Sequence, residues 1–324
     1  MAMPLLPQQP ALVTRREAAL TACFLLPAVD ALTELFLTLR AETDRELEPT
    51  LGSKYGKPYP LSCCRQITQD VLSRLGPALA KPDHRGARAL HAFLAAGGSG
   101  RCVWGALRGQ YFQTALQFGG LYVDVANDTV TVTKPKVEIL PMETAGLEAV
   151  RGADHFAEIA TRYWGIQVFA NHALPTLAPL LPMIGVVPGQ PPVLHSATDY
   201  MIELFCQDNF VRSEMWLSQG AVPPADVVEE LRKRCPEDVL TANPFANAEA
   251  AIAACRSARA EKLATNAGWR DACIKDFLRV HPTAPTAPAA RPLAKALNIV
   301  WGTDNGARQG WRHSEQTAKR RMRQ

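Results

Sequence analysis

The residues able to do chemistry cluster in two short stretches. The first is Ser62-Cys63-Cys64-Arg65, two adjacent thiols placed where a Gly/Pro-rich loop (51–60) gives way to a helical period at Ile67, Val71, Leu72 and Leu75. That period predicts a helix over 62–75 with both cysteines in its first turn. Free backbone N–H groups and the positive end of the helix dipole favour a thiolate there, so a lowered thiol pKa is expected. The second stretch is 109–128, where two runs of aromatic and aliphatic residues flank Gly119-Gly120 and read as a β-hairpin. Asp124 sits inside the second run, an acid that burial would penalise unless it is paired.

A cysteine opening a helix, followed by strands carrying a base and then an acid, is the order of a thiol nucleophile, its base and the group that orients the base. In this order the chain resembles the papain-like and transglutaminase-like cysteine enzymes. Bacterial members of that group place the base in a Gly-His-Tyr-Trp type sequence and the acid in a Val-Asp-Leu-Thr type strand after a hairpin. The corresponding stretches here are Gly109-Gln110-Tyr111-Phe112 and Tyr122-Val123-Asp124-Val125-Ala126. The resemblance covers roughly residues 58–130. It implies Cys63 or Cys64 as nucleophile, Asp124 as orienting acid and Gln110 in the place of the histidine. A glutamine amide takes no proton near neutral pH. The resemblance therefore implies a core that keeps the fold without the activity, acting as a binding module for a protein or peptide, or an active acyl-transferase or hydrolase that borrows His84 or His91 as base. The plainer reading of Cys63 and Cys64 is as small buried hydrophobes.

The same strand supports another enzyme class. Gly119-Gly120-Leu121-Tyr122-Val123-Asp124 also resembles the Gly-Gly-x-Tyr-x-Asp stretch of sugar-nucleotide glycosyltransferases with an Asp-x-Asp metal motif. Ala126 replaces the second acid, and Asn127 would point to the opposite face of the strand. The Rossmann-like units such an enzyme needs are absent from 14–75, which reads as helical. An Asp124 that merely meets water at a strand edge is the third reading.

Elsewhere there is no P-loop, no Gly-x-Gly-x-x-Gly, no Gly-x-Ser-x-Gly, no Cys-x-x-Cys and no zinc spacing, so neither cofactor nor metal is expected. Thr14-Arg15-Arg16-Glu17 fits a capping box opening a helix over 14–48, interrupted at Pro27. Its apolar run contains Pro27, Asp30 and Glu34, which argues against a membrane span. Residues 1–13, with three prolines and no periodicity, read as disordered. β-type runs at 102–107, 111–118, 121–126 and 129–133 predict an antiparallel meander, and 76–100 reads as a connector. From 143 to 280 the pattern is mainly helical, with helices over 226–234 and 246–262 and a cap at Ser196 or Thr198. The fold class is therefore α+β. Its expected units are an N-terminal helical segment (1–50), the papain/transglutaminase-like core (51–142), the helical region (143–280), and a Pro/Ala linker with a basic tail (281–324).

The formal charge of +4 is too small to demand a polyanionic partner. From Arg291 onward, eight Lys and Arg face two acids, so the tail alone carries +6 and is the part expected to touch anionic surfaces weakly. No specific nucleic-acid partner is implied. Eight scattered cysteines and no clear signal peptide fit a cytoplasmic protein with reduced thiols, and a non-classical translocation signal in the first dozen residues is compatible with the composition.

Overall fold

The computed structural model describes residues 4–52, 57–195 and 198–281; the expected linker, the short helix expected at 294–301 and the basic end lie outside them. Helix α1 (Arg15–Leu20) starts as the capping sequence requires, with the Thr14 hydroxyl accepting from the Glu17 backbone N–H at 3.2 Å. The Glu17 carboxylate does not close the box. It accepts instead from the Ser99 backbone N–H (3.1 Å), tying the helix start to the sheet. At Pro27, which lacks an N–H and crowds the preceding turn, the chain passes through one wide turn (Thr21–Leu25) and one tight turn (Leu26–Ala28) before resuming as α2 (Val29–Leu51). By length and composition alone, Arg15–Leu51 is long and apolar enough to cross a membrane. Its apolar side, with Leu32, Leu35, Phe36 and Leu39, is the buried centre of the first core.

Helix α3 (Cys64–Ala80) begins two residues later than expected, with Cys63 as its N-cap rather than in its first turn, and continues past Pro77. The segment read as a connector holds a further helix, α4 (Arg85–Ala95). His84 caps it through Nδ1, which accepts from the Gly86 N–H at 3.0 Å, and Ala87, Leu90 and Phe93 form its buried face. Gly86 is what lets α4 lie against α2, because a Cβ there would stand 2.3 Å from the Ala31 carbonyl oxygen.

The hairpin forms as expected: β1 (Gly100–Leu107), β2 (Tyr111–Phe118) and β3 (Leu121–Asp124), with Gly119 at φ +53° in the turn. The strand expected at 129–133 does not form. A tight turn occupies Asn127–Thr129, and the fourth strand, β4 (Glu138–Pro141), comes later. The reason lies in what holds that turn: Asp128 is claimed by Arg40, and the Thr129 carbonyl accepts from the Ser62 N–H (3.0 Å). After α5 (Met142–Ala145), the two-residue β5 (Leu147–Glu148) completes a five-stranded antiparallel sheet of order β4-β3-β2-β1-β5.

Helices α2, α3 and α4 cover one face of this sheet, over Leu116, Phe118, Leu121 and Val123. The opposite face carries Val103, Leu107, Tyr111, Ala115 and Tyr122 against Ala145 and Leu147. Helix α2 thus shares one core with α3, α4 and the sheet.

The remainder begins with α6 (Ala153–Trp164). It then departs from the helical pattern with a three-stranded antiparallel sheet of β6 (Gln167–Ala170), β7 (Met183–Val186) and β8 (Val193–His195). Three or four residues per strand, separated by proline-rich chain, leave no readable alternation. Helices α7 (Asp199–Gln207), α8 (Val211–Gln219), α9 (Ala225–Lys233), α10 (Glu237–Ala242), α11 (Ala248–Ala260) and α12 (Ala267–Val280) finish the second core. Thr198 caps α7, its hydroxyl accepting from the Met201 N–H; Ser196 lies outside the described residues.

Residues 4–11 are pinned where disorder was expected, and residues 1–3 lie outside the described residues. Leu6 enters the second core, the Gln8 carbonyl accepts from the Trp104 N–H (2.7 Å), and Ala11 exchanges two 2.9 Å hydrogen bonds with the Gln117 side chain. The Pro4 carbonyl accepts from Gln207 Nε2 (2.9 Å). Residues 4–11 therefore form a belt from the second core along the sheet to Gln117.

Candidate functional site

The approach to α3 is fixed by a buried charge network. Arg40, fully enclosed on α2, donates through Nε to Asp44 (2.6 Å), through Nη1 to Asp128 (2.7 Å) and the Val125 carbonyl (2.8 Å), and through Nη2 to Asp128 (3.1 Å). Asp44 also accepts from the Tyr59 hydroxyl and Lys136 Nζ, both at 2.5 Å. Burial works against the Asp44 carboxylate, but these donors outweigh it and hold its pKa below the usual range. The result ties α2 and the loop entering α3 to the turn after β3.

From this anchored loop, Ser62 turns through the left-handed region (φ +63°) and delivers Cys63 and Cys64 to the start of α3. Cys63 is buried, its thiol facing the Leu61 carbonyl. Cys64 is half-buried and opens into a cleft of about 390 Å³ between the sheet, α6 and the start of α7. Trp104, Phe112, Tyr163, Trp164 and Tyr200 wall the cleft, and Arg65 and Asp199 are its charged members. Neighbouring rings brace one another, with Trp104–Phe112 and Trp104–Tyr200 centroids 5.1 Å apart and Phe112–Trp164 5.0 Å apart.

The thiols behave opposite to the expectation from helix position. Burial pushes both upward; hydrogen bonds with the Thr114 backbone and hydroxyl oppose this at Cys64 without reversing it. Desolvation of the thiolate outweighs the favourable helix terminus. Both cysteines are neutral thiols near pH 7.

Asp124 stands on the other face of the sheet. β2 presents Phe112 and Thr114 to the cleft, so Gln113 points the opposite way, and Asp124 follows it. The carboxylate is fully buried. Gln113 Nε2 donates to Oδ1 (2.9 Å) and Oδ2 (2.8 Å), the Tyr122 hydroxyl to Oδ2 (2.9 Å) and the Ala126 N–H to Oδ1 (2.8 Å). Burial raises its pKa to about 6 against the pull of these donors. With both oxygens so engaged, Asp124 offers no free ligand to a metal–diphosphate. Among the described residues, no group of three or more His, Cys, Asp or Glu is placed to hold a metal ion.

Gln110 lies exposed in the β1–β2 turn, its N–H donating to the Leu107 carbonyl (3.0 Å). The structure does not bring Cys63, Cys64, Gln110 and Asp124 together. The amide that meets Asp124 is Gln113, three residues beyond Gln110. Its signal in the sequence is parity: with the turn at Gly119-Gly120, residue 113 falls on the face of residue 124.

Six histidines lie among the described residues, each engaged away from the cleft. His84 caps α4, with Glu34 at 3.8 Å, and His91 faces the Leu79 carbonyl (3.2 Å). His155 accepts from the Arg151 N–H, His172 meets the Leu217 carbonyl and His281 accepts from the Leu194 N–H. His195 packs behind Trp164, ring centroids 6.4 Å apart, where burial lowers its pKa to about 4.

No family model, no curated protein and no solved structure matches this chain. The cleft is therefore read from its own chemistry: a neutral thiol, braced aromatic walls, and one cation and one anion among its lining residues.

Proposed function

We propose that this protein is a binding module for an extended polypeptide, built on a core that resembles thiol acyl-transfer enzymes without running their chemistry. The observation that carries this reading is the separation across β2, with Cys64 on the cleft face and Asp124 on the other. Thiol activation needs nucleophile, base and orienting group within hydrogen-bond reach of one another. None of the described cleft residues is a histidine, and Cys64 itself holds its proton. Binding is favoured by the walls: rings already packed against one another present flat apolar area at little cost in side-chain entropy.

The alternative is active thiol chemistry with a non-standard base, and one observation speaks for it: Cys64 opens into a cleft beside the Tyr163 phenol. That phenol does not serve as a base near neutrality, because burial, followed by the neighbouring Cys64 and Tyr111, raises its pKa further.

The two readings separate in the pH dependence of Cys64 alkylation by iodoacetamide, followed by mass spectrometry. The binding module requires a midpoint above the free-thiol value of about 8.5. A midpoint well below that value would establish an activated nucleophile and remove the proposal.

A further inference from the structure

We infer that the occupant of the aromatic cleft is a proline-rich segment in the polyproline conformation, and that the nearest such segment is the chain's own residues 282–292. The inference rests on the cleft being a polypeptide-binding site and adds what kind of polypeptide it takes.

The cleft supplies the first part of the argument. Trp164 is 44% exposed at its edge, although it packs on Phe112 and on Tyr163 (5.7 Å), a large apolar ring left without a cover. Braced tryptophan and tyrosine faces of this kind accept proline rings, which are apolar and already restricted in φ, so docking costs little ordering entropy.

The point where the described chain stops supplies the second. His281 ends α12 with its ring against Phe277 (5.1 Å) and Nε2 accepting from the Leu194 N–H (3.0 Å). It is thereby fixed beside β8. The next residue of that strand, His195, packs on Trp164, and Thr198, just beyond it, lines the cleft. The chain therefore leaves the described fold one strand away from the aromatic walls. Eleven residues at about 3.1 Å each span roughly 34 Å in the polyproline form, ample for that separation.

The sequence supplies the third. Residues 282–292 read Pro-Thr-Ala-Pro-Thr-Ala-Pro-Ala-Ala-Arg-Pro, with proline at 282, 285 and 288 and arginine at 291. A polyproline helix has three residues per turn, so these four side chains would share one edge. The edge offers three prolines to the aromatic walls and then a cation to the acid of the cleft, Asp199. A docked segment would lie over Cys64 and shield it.

The test uses the full chain and its Pro282→Ala, Pro285→Ala, Pro288→Ala triple variant, comparing the rate of Cys64 alkylation at one fixed pH. The expected result is alkylation roughly tenfold faster in the variant, since a tethered segment acts at millimolar effective concentration. A synthetic peptide of residues 281–292 should restore protection when added to the variant. Equal rates with no effect of the peptide would overturn the inference. Equal rates with protection by the peptide would assign the cleft to another polypeptide and remove the chain's own segment, and protection that grows with protein concentration would move the segment to a second copy. The rate ratio is read at one pH and the binding-module reading in the alkylation midpoint, so failure of this inference is distinguishable from failure of the reading on which it rests.

Discussion

The two faces of strand β2 solve opposite problems with neighbouring residues. On one, Gln113 and Tyr122 enclose Asp124, and every oxygen of the acid has a donor. On the other, Thr114 and Phe112 look into a cleft whose thiol is half-buried and whose rings are partly bare. The first is how a polar group is made tolerable inside a protein; the second is how groups are kept available. Residues adjacent in sequence thus belong to different chemistries, and an order of thiol, base and acid along the chain says nothing of their meeting until the faces are counted.

Three experiments would break or sharpen this contrast. The largest effect is expected from Arg40→Met. It leaves Asp128 and Asp44 without their enclosed cation, and loss of one partner of a buried ion network costs about 3–5 kcal/mol. Urea unfolding should show that loss; a change below about 1 kcal/mol, as at a solvated pair, would mean the network is not a structural anchor.

Next comes pH. His281 is held neutral by burial and the nearby Arg234 and His195, with its pKa lowered to about 4 from an unfolded value near 6.5. The unfolded chain binds the proton first on acidification, so stability is lost as pH falls from 6.5 towards 4. This amounts to about 3 kcal/mol for this one group. Asp124 acts in the opposite sense: its raised pKa, about 6, means the folded state takes up a proton before the unfolded chain does, which offsets part of the loss over the same window. His281→Gln keeps an acceptor for the Leu194 N–H and does not titrate, so the acid-dependent part of the unfolding free energy should shrink by about 2–3 kcal/mol. An unchanged pH profile would contradict the neutral, bonded histidine.

The smallest effect tests the contrast most directly. Asp124→Asn should cost about 1–2 kcal/mol through its disrupted bonds with Gln113 and Tyr122. It should move the Cys64 alkylation midpoint downward, because the lost charge had raised it. A large upward shift would mean that acid and thiol cooperate through the sheet.

Much of the scaffold was legible because local rules and the final packing agree. Thr14 caps its helix, Pro27 interrupts it, Ile67, Val71 and Leu75 bury one side of α3, and Gly119 makes the hairpin turn. Helix α4 was hidden by flanking Gly and Pro, and β6 to β8 by their shortness. The position of Cys64 at a helix start was readable, but its pKa depends on burial among Thr114, Tyr163 and the sheet, all distant in sequence. Arg40 with Asp44 one turn on reads as an ordinary helix-surface pair, since nothing local shows that Asp128 will enclose it. The partner of Asp124 was within reach of a parity count across the hairpin; which face α3 would cover was not.

The belt of residues 4–11 has a consequence in time. Its fastenings are Trp104, Gln117 and Gln207, one to two hundred positions downstream. During synthesis residues 4–11 emerge well ahead of these partners, about a hundred positions before Trp104 and Gln117 and about two hundred before Gln207. Contacts of such long separation carry the largest loop-closure entropy and so tend to form late. The belt therefore closes only after its distant partners exist, and its fastening to Gln207 waits for the second core.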